Sequence, residues 1–243
     1  MTRIVNNCVA LVCLCLFWGQ SLRAADASHS EQIKWGNESV FNEEHNTLGL
    51  FSGVLGGQIV LAGGTSDDYS RWGRNAVCLS ENAGFALYED VLSKPLAYGA
   101  SITLSDGILC IGGRDSSQCY EDVFLVTMQQ GKLNVSEDWP PLPFPLSNAA
   151  GALLDNKVYL FGGRKSVSPS RLSDSFFVLD LSNKSRGWKE LPGYPGCVRE
   201  DAILVVQNNG VSPCLYLLGG QTETEEGLSS CLTDGYVYNP QLG

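Results

Sequence analysis

The sequence predicts an all-β protein folded as a β-propeller, and three observations predict it. Four segments share one pattern, an apolar run closed by two glycines: Gln58 to Gly64, Gly107 to Gly113, Lys157 to Gly163 and Cys214 to Gly220. Counted between the first glycines, the spacings are 49, 50 and 57 residues, the period of a propeller blade. The 27 glycines are spread along all 243 residues, which suits a chain of many turns better than a helical bundle. Short runs of alternating apolar and polar residues stand between turn residues, as strands do. One diglycine would mean little; four at near-constant spacing, each ending an apolar run, specify a repeat.

The third repeat shows the whole unit. Asn148-Ala149-Ala150-Gly151-Ala152-Leu153-Leu154 is rich in small residues, as an inner strand crowded at a propeller axis requires. A turn at Asp155-Asn156 leads to a second strand, Lys157 to Phe161. After the glycines comes a polar loop, Arg164 to Ser173, then a third strand, Asp174 to Asp180. The fourth strand carries Trp188, expected as a packing aromatic between blades. First strands recur near Leu50, Ala97 and Asp201, and third strands at Asp122 to Val126 and Gly235 to Tyr238. Blades are therefore expected at about 48–95, 96–143, 144–193 and 194–243, the last without a fourth strand. The glycines mark sharp turns or close backbone approach; no helix signal follows them, so phosphate cradling is not expected.

Ahead of the repeats, residues 1–27 read as an export signal. Arg3 supplies a positive start, Val9 to Trp18 an apolar run, and Ala25-Asp26-Ala27 a cleavage site. Ten apolar residues are too few to span a bilayer, which takes about 20, so no membrane span is expected once the signal is removed. Residues 28–47 form a lead-in. The chain is therefore expected to be exported, to a bacterial periplasm or the outside.

Composition excludes several functions. With 26 acidic and 16 basic residues the net charge is −10, a poor basis for holding nucleic acid. Only His29 and His45 are present, so a multi-histidine metal site and a Ser-His-Asp triad are not expected; no cofactor is expected either. Six cysteines lie beyond the signal, none in a CxxC pair. Pairing among them is left open at this point, although Cys110 and Cys214, inside apolar runs, read as small buried side chains.

The diglycine repeats resemble kelch propellers. Within that group, Leu96-Ala97-Tyr98-Gly99-Ala100-Ser101, Cys110 to Asp115, Leu142 to Leu153 and Leu232-Thr233-Asp234-Gly235-Tyr236 resemble the cyclically permuted mutarotase family, which is similar to bacterial N-acetylneuraminate epimerases. The resemblance runs from about Leu48 to Tyr238. It implies a six-bladed ring in an exported protein, a sialic acid as small-molecule partner, and exchange of its α and β anomers by general acid/base chemistry. Four blades are visible, so two are expected beyond these residues. The sequence departs from the family's pattern: Gly63-Gly64 is followed by Thr65-Ser66-Asp67 and a short stretch, where the family has Ala-Asn-Phe and a long insertion, and two further departures bear on the site. Leu96 stands where the family has an arginine. The positions after the diglycines, where the family's proposed acid/base glutamate is expected, hold Thr65, Arg114, Arg164 and Gln221. That glutamate is therefore expected in a missing blade, and the chain alone is expected to be inactive.

Propeller geometry places the remaining chemistry. Loops between second and third strands share a face with the loops that enter the next blade, and that face funnels onto the axis. Tyr98, Arg114, Asp115, Ser147, Asn148, Arg164 and the run Arg199-Glu200-Asp201 fall there. A sugar acid needs a guanidinium for its carboxylate, a proton-transfer group at the anomeric centre and polar groups for its hydroxyls. Arg199 and Glu200 are the expected catalytic pair; Tyr98, Arg114, Asp115, Asn148 and Arg164 are the expected substrate contacts. The alternative is a kelch module that holds a protein or glycan without turnover. Oligomeric state is not legible.

Overall fold

The computed structural model describes residues 2–3, 48–80, 84–224 and 226–242. Four antiparallel sheets follow one another along the chain. Blade I comprises Phe51–Leu55, Gln58–Ala62, Ala76–Ser80 and Gly84–Tyr88. Blade II comprises Ala100–Thr103, Ile108–Ile111, Val123–Gln129 and Lys132–Ser136. Blade III comprises Ala150–Leu154, Lys157–Phe161, Phe176–Asp180 and Lys189–Glu190. Blade IV comprises Ile203–Asn208, Pro213–Leu218 and Gly235–Tyr238. The propeller architecture read from the repeats is the one observed. Among the described residues the only helical element is a 3-10 turn, Leu181–Arg186, and no helix is long and apolar enough to cross a membrane.

Two details differ from the sequence reading. First strands begin one to three residues later than the repeats suggest, because Gly49, Tyr98, Asn148 and Asp201 have left-handed backbone and cannot belong to a strand. The fourth position of blade IV is not empty: Thr2–Arg3 pairs there with Gly235–Tyr238. The rest of the expected signal and lead-in lies outside the described residues.

Each strand has one face toward the preceding blade and one toward the next, and both are apolar in interior blades. Three buried layers result. Phe51, Val60 and Cys78 of blade I meet Ile108, Cys110 and Phe124 of blade II. Ile102, Leu109 and Leu125 meet Val158, Leu160 and Phe177 of blade III. Phe161 and Phe176 meet Leu215, Leu217 and Tyr236 of blade IV. Trp188 is the inter-blade aromatic expected, its indole N–H donating to the Pro140 carbonyl at 3.0 Å. The six cysteines among the described residues are free, with Cys110 and Cys214 buried.

The diglycine joins blade to blade. The first glycine's N–H bonds within its own blade, Gly63 to Asn75, Gly112 to Asp122 and Gly162 to Ser175. The second bonds the carbonyl that enters the next blade: Gly64 to Leu96, Gly113 to Leu146 and Gly163 to Arg199, each at 2.8 Å. All six have positive φ, and a Cβ on Gly63, Gly112 or Gly162 would collide with that same carbonyl oxygen. Glycine is therefore required twice over, by backbone conformation and by proximity.

Candidate functional site

The axial face is built on a repeated backbone position. Gly49, Tyr98, Asn148 and Asp201 stand just before the first strands, with φ of 65°, 61°, 55° and 52°. Each N–H donates to its predecessor's carbonyl: Tyr98 to Gly49 at 2.7 Å, Asn148 to Tyr98 at 2.6 Å and Asp201 to Asn148 at 3.0 Å. This hydrogen-bonded hoop lines an open concavity of about 280 Å³. The residue before each hoop position bridges to the residue after a diglycine: Leu48 to Thr65, Ala97 to Arg114, Ser147 to Arg164 and Glu200 to Gln221. The second-to-third-strand loops and the blade entries thus do share one face.

Arg114 stands beside the concavity between two rings, 4.7 Å from the Tyr98 centroid and 5.0 Å from that of Trp72. Tyr69 stacks on Tyr98 at 6.5 Å. Arg114 Nη1 donates to the Asp115 carbonyl at 3.4 Å, and among the described residues no carboxylate forms an ion pair with it. Its charge is held in place by aromatic faces with most of its donors free. Burial, reinforced by Tyr69, pushes the Tyr98 phenol well above its ordinary value.

Asp201 and Asn148 face each other across the hoop, Asn148 Nδ2 donating to Asp201 Oδ1 at 2.9 Å. Desolvation by the surrounding protein raises the Asp201 carboxyl above its usual range, with the Glu200 charge adding to it, although solvent still reaches the side chain. Asp115 behaves oppositely. Burial opposes its ionisation, but hydrogen bonds from Tyr120, Ser117 and Gln118 outweigh it and hold the carboxyl at about 2. Asp115 thus orders its own loop.

Arg164 and Glu200 form a closed unit. Nε and Nη2 of Arg164 donate to the two Glu200 oxygens at 2.8 and 2.5 Å. The same guanidinium reaches Ser170 at 2.6 Å and Glu223 at 3.2 Å, and Ser170 donates to Glu223. Both Glu200 oxygens are engaged, so its carboxylate fixes Arg164 and is not free for proton transfer.

Arg199, expected in the funnel, is placed elsewhere. It is fully buried at the site occupied by Leu96 and Leu146 in the other repeats, directed into blade IV. Nε donates to the Tyr194 hydroxyl at 2.8 Å, Nη1 to the Gly219 carbonyl at 2.8 Å, and Nη1 and Nη2 to the two Asp234 oxygens at 2.8 and 3.0 Å. The Tyr194 and Tyr236 rings cover it. With a carboxylate already bound, this guanidinium has none to offer a ligand. The structure thus gathers Tyr98, Asn148 and Asp201 at the concavity, sets Arg114 against the Tyr98 ring and Arg164 against Glu200, holds Asp115 in its own loop and buries Arg199. Trp72, Tyr69 and Glu223 are additions; their only signal is membership of the loops after diglycines. No group of three His, Cys, Asp or Glu side chains fit to hold a metal is present among the described residues.

Comparison with known proteins gives a consistent result. The profile of the N-acetylneuraminate epimerase family matches residues 139–243, blades III and IV. N-acetylneuraminate epimerase of Haemophilus influenzae (strain PittEE) is 31% identical over 105 residues, 43% of this chain and 25% of that protein. The Yersinia pestis (strain Pestoides F) protein of the same name is 31% identical over 108 residues, 44% and 25%. A kelch domain-containing protein of Vibrio cholerae is 32% identical over 104 residues, 42% and 26%. The match spans about a quarter of the length of these relatives. The solved structure of YjhT superposes with a TM-score of 0.60 over 79% of this chain and 68% of that one, at 13% identity, a likeness of fold alone. These matches support the family resemblance read from the repeats; Tyr98 and Arg114 lie outside the segment that the family profile covers.

Proposed function

We propose that the axial concavity binds a sugar acid, N-acetylneuraminate, and exchanges its α and β anomers without a cofactor. The observation that carries this is Arg114: a guanidinium with no ion-pair partner among the described residues, packed against the Tyr98 and Trp72 rings, with Tyr98 on the wall of the concavity that also holds Asp201. A sugar carboxylate completes its hydrogen bonding. Tyr98 and Trp72 offer apolar faces to the pyranose, and Asn148, on the wall of the concavity, can read hydroxyls.

Anomer exchange opens the ring and closes it on the other face. Opening takes a proton from the anomeric hydroxyl while the ring oxygen gains one; closing reverses both transfers. Asp201 is the group suited to it: its carboxyl lines the concavity, and desolvation raises it above its usual range, which makes it a better proton acceptor. The family's glutamate has no counterpart after this chain's diglycines, and Glu200 is engaged by Arg164; in this reading Asp201 takes the proton-transfer role from within blade IV. The relatives' name supports the substrate, and Val9 to Trp18 with Ala25-Asp26-Ala27 supports export.

The test follows the α and β signals by NMR after a sialidase releases the α anomer. With Asp201 as the proton-transfer group, acceleration proportional to the chain's concentration is expected, in place of the inactivity expected from the missing glutamate alone. Binding of N-acetylneuraminate without acceleration would move the reading to a kelch module that holds its ligand unchanged, which the exposed Tyr69 at the rim favours.

A further inference from the structure

The interface between blades I and II and that between blades II and III follow one plan, and one space in it is filled at the second and open at the first. The Gly112 N–H bonds the Asp122 carbonyl as the Gly162 N–H bonds that of Ser175, so Phe124 of blade II matches Phe177 of blade III. Leu96 and Leu146 accept from the second glycines, so Lys94 and Phe144, each two residues earlier, also match. Leu125 pairs with Ser136 and Val178 with Lys189, which matches Val135 to Trp188. Between blades II and III the aromatic members fill the space: Phe144 meets Phe177 edge to face at 5.4 Å, and Trp188 packs on the same core. Between blades I and II a lysine and a valine stand in their places.

A cavity of about 220 Å³ lies there, with Lys94 and Val135 in its wall; about 150 Å³ is enough to hold a benzene ring. Leu92, Leu96 and Phe124 form its buried part, and Trp139, half-buried, stands beside Val135. Of the remaining lining, Ser93, Glu137 and Pro141 are exposed, so the cavity opens to solvent. Lys94 does not fill it. Its ammonium bonds both Asp122 oxygens at 3.0 Å and lies 4.5 Å from the Tyr120 centroid. Blades I and II each have all four strands, so the cavity is enclosed by complete sheets.

Charge selects the occupant. The charged residues of the lining are Lys94, Asp122 and Glu137. Lys94 and Asp122 satisfy each other, and Glu137 has no ion-pair partner among the described residues, so the unmatched charge is negative. Lys184 rests on the Trp139 ring at 4.1 Å and is not part of the lining. We propose that this cavity is a second ligand site, for a small molecule with an aromatic ring and an ammonium group. The ring takes the space that Phe144 and Trp188 fill at the next interface, and the ammonium faces Glu137. The cavity shares no lining residue with the axial concavity, so the site stands whether or not a sugar acid binds there.

Calorimetric titration of the full chain with tryptamine, an indole ring bearing an ammonium group, tests this. Saturable one-to-one binding at millimolar concentration or below is expected. Indole-3-propionate, with the same ring and the opposite charge, should bind more weakly. Glu137→Gln should weaken tryptamine binding about twofold to fivefold, the usual worth of an exposed charge pair. Val135→Trp installs the residue that blade III carries at the matching position and should abolish binding, with folding checked by circular dichroism. Lys94→Phe fills the same space from the linker and serves as the second variant if the first fails to fold. Four outcomes overturn the proposal: no saturable binding of tryptamine, undiminished binding by a folded variant with the space filled, indole-3-propionate bound as tightly as tryptamine, and Glu137→Gln binding as the wild type does.

Discussion

Arg199 and Arg114 are both arginines held against aromatic rings, one inside blade IV and one against the Tyr98 ring that lines the axial concavity. Arg199 has rings at 5.1 and 5.4 Å, Arg114 at 4.7 and 5.0 Å. The ring contacts are alike; the partners are not. Arg199 spends its donors on Asp234, Tyr194 and a backbone carbonyl, and holds the blade together. Arg114 has no ion-pair partner among the described residues. Burial and ring contact do not by themselves mark a ligand site; a polar group whose natural counterpart is missing does.

The largest expected effect tests the filled side of this comparison. Arg199→Leu puts into blade IV the residue that Leu96 and Leu146 supply in the other repeats, so packing is preserved while Asp234 loses its counter-ion. A destabilisation of about 3–5 kcal/mol is expected in urea titration, without change in sugar affinity for the protein that remains folded. The pH dependence follows. The Arg199 hydrogen bonds hold the Asp234 carboxyl below its ordinary value. Its contribution to stability is present above the unfolded value of about 3.9 and is lost as pH falls through the folded one. The variant should lack that acid-side slope.

Asp201→Asn tests the open side. Exchange should fall by about a hundredfold to ten-thousandfold, the usual worth of a general acid/base group, as read by NMR. Its folded pKa is raised, so its contribution to stability is full below the unfolded value and lost as pH rises through the folded one. The variant should therefore gain on the wild type in thermal melts as pH rises from acid to neutral. An Asp201→Asn protein of full activity would remove Asp201 from the reaction.

Arg114→Gln comes next. Loss of a charge-assisted bond of about 1.5–3 kcal/mol should weaken N-acetylneuraminate binding roughly tenfold to a hundredfold by calorimetry, with the melting temperature little changed. A large loss of stability instead would make Arg114 a second Arg199. The smallest effect belongs to Trp72→Leu. Removing one ring face is expected to weaken binding by only about 0.5–1 kcal/mol, with exchange in the bound state unaffected.

The blades were legible because the diglycine is demanded by both conformation and proximity, and so survives in every repeat. The axial face was legible in outline for the same reason: the residue after each diglycine is tied to a blade entry. The roles within Arg199-Glu200-Asp201 were not. Three consecutive residues point three ways, into blade IV, onto Arg164 and into the concavity, because Asp201 takes a left-handed turn where a strand would have alternated. The partner that removes Arg199 from the funnel, Asp234, lies 35 residues away, and nothing local announces it. Trp72 belongs to the loop of blade I, whose sequence matches none of the other three. Asp115 showed its charge in the sequence, but not the turn that satisfies it.

The hoop of backbone hydrogen bonds from Gly49 to Asp201 separates scaffold from chemistry. Its rungs are N–H to carbonyl, so they do not depend on which side chain each position carries. Glycine, tyrosine, asparagine and aspartate occupy one bracket in one conformation, differing only in what they offer the axis. Such a bracket is a natural substrate for evolution by duplication. A copied repeat brings its geometry with it, and a change of codon at the hoop alters what the funnel recognises while leaving its backbone pairing intact.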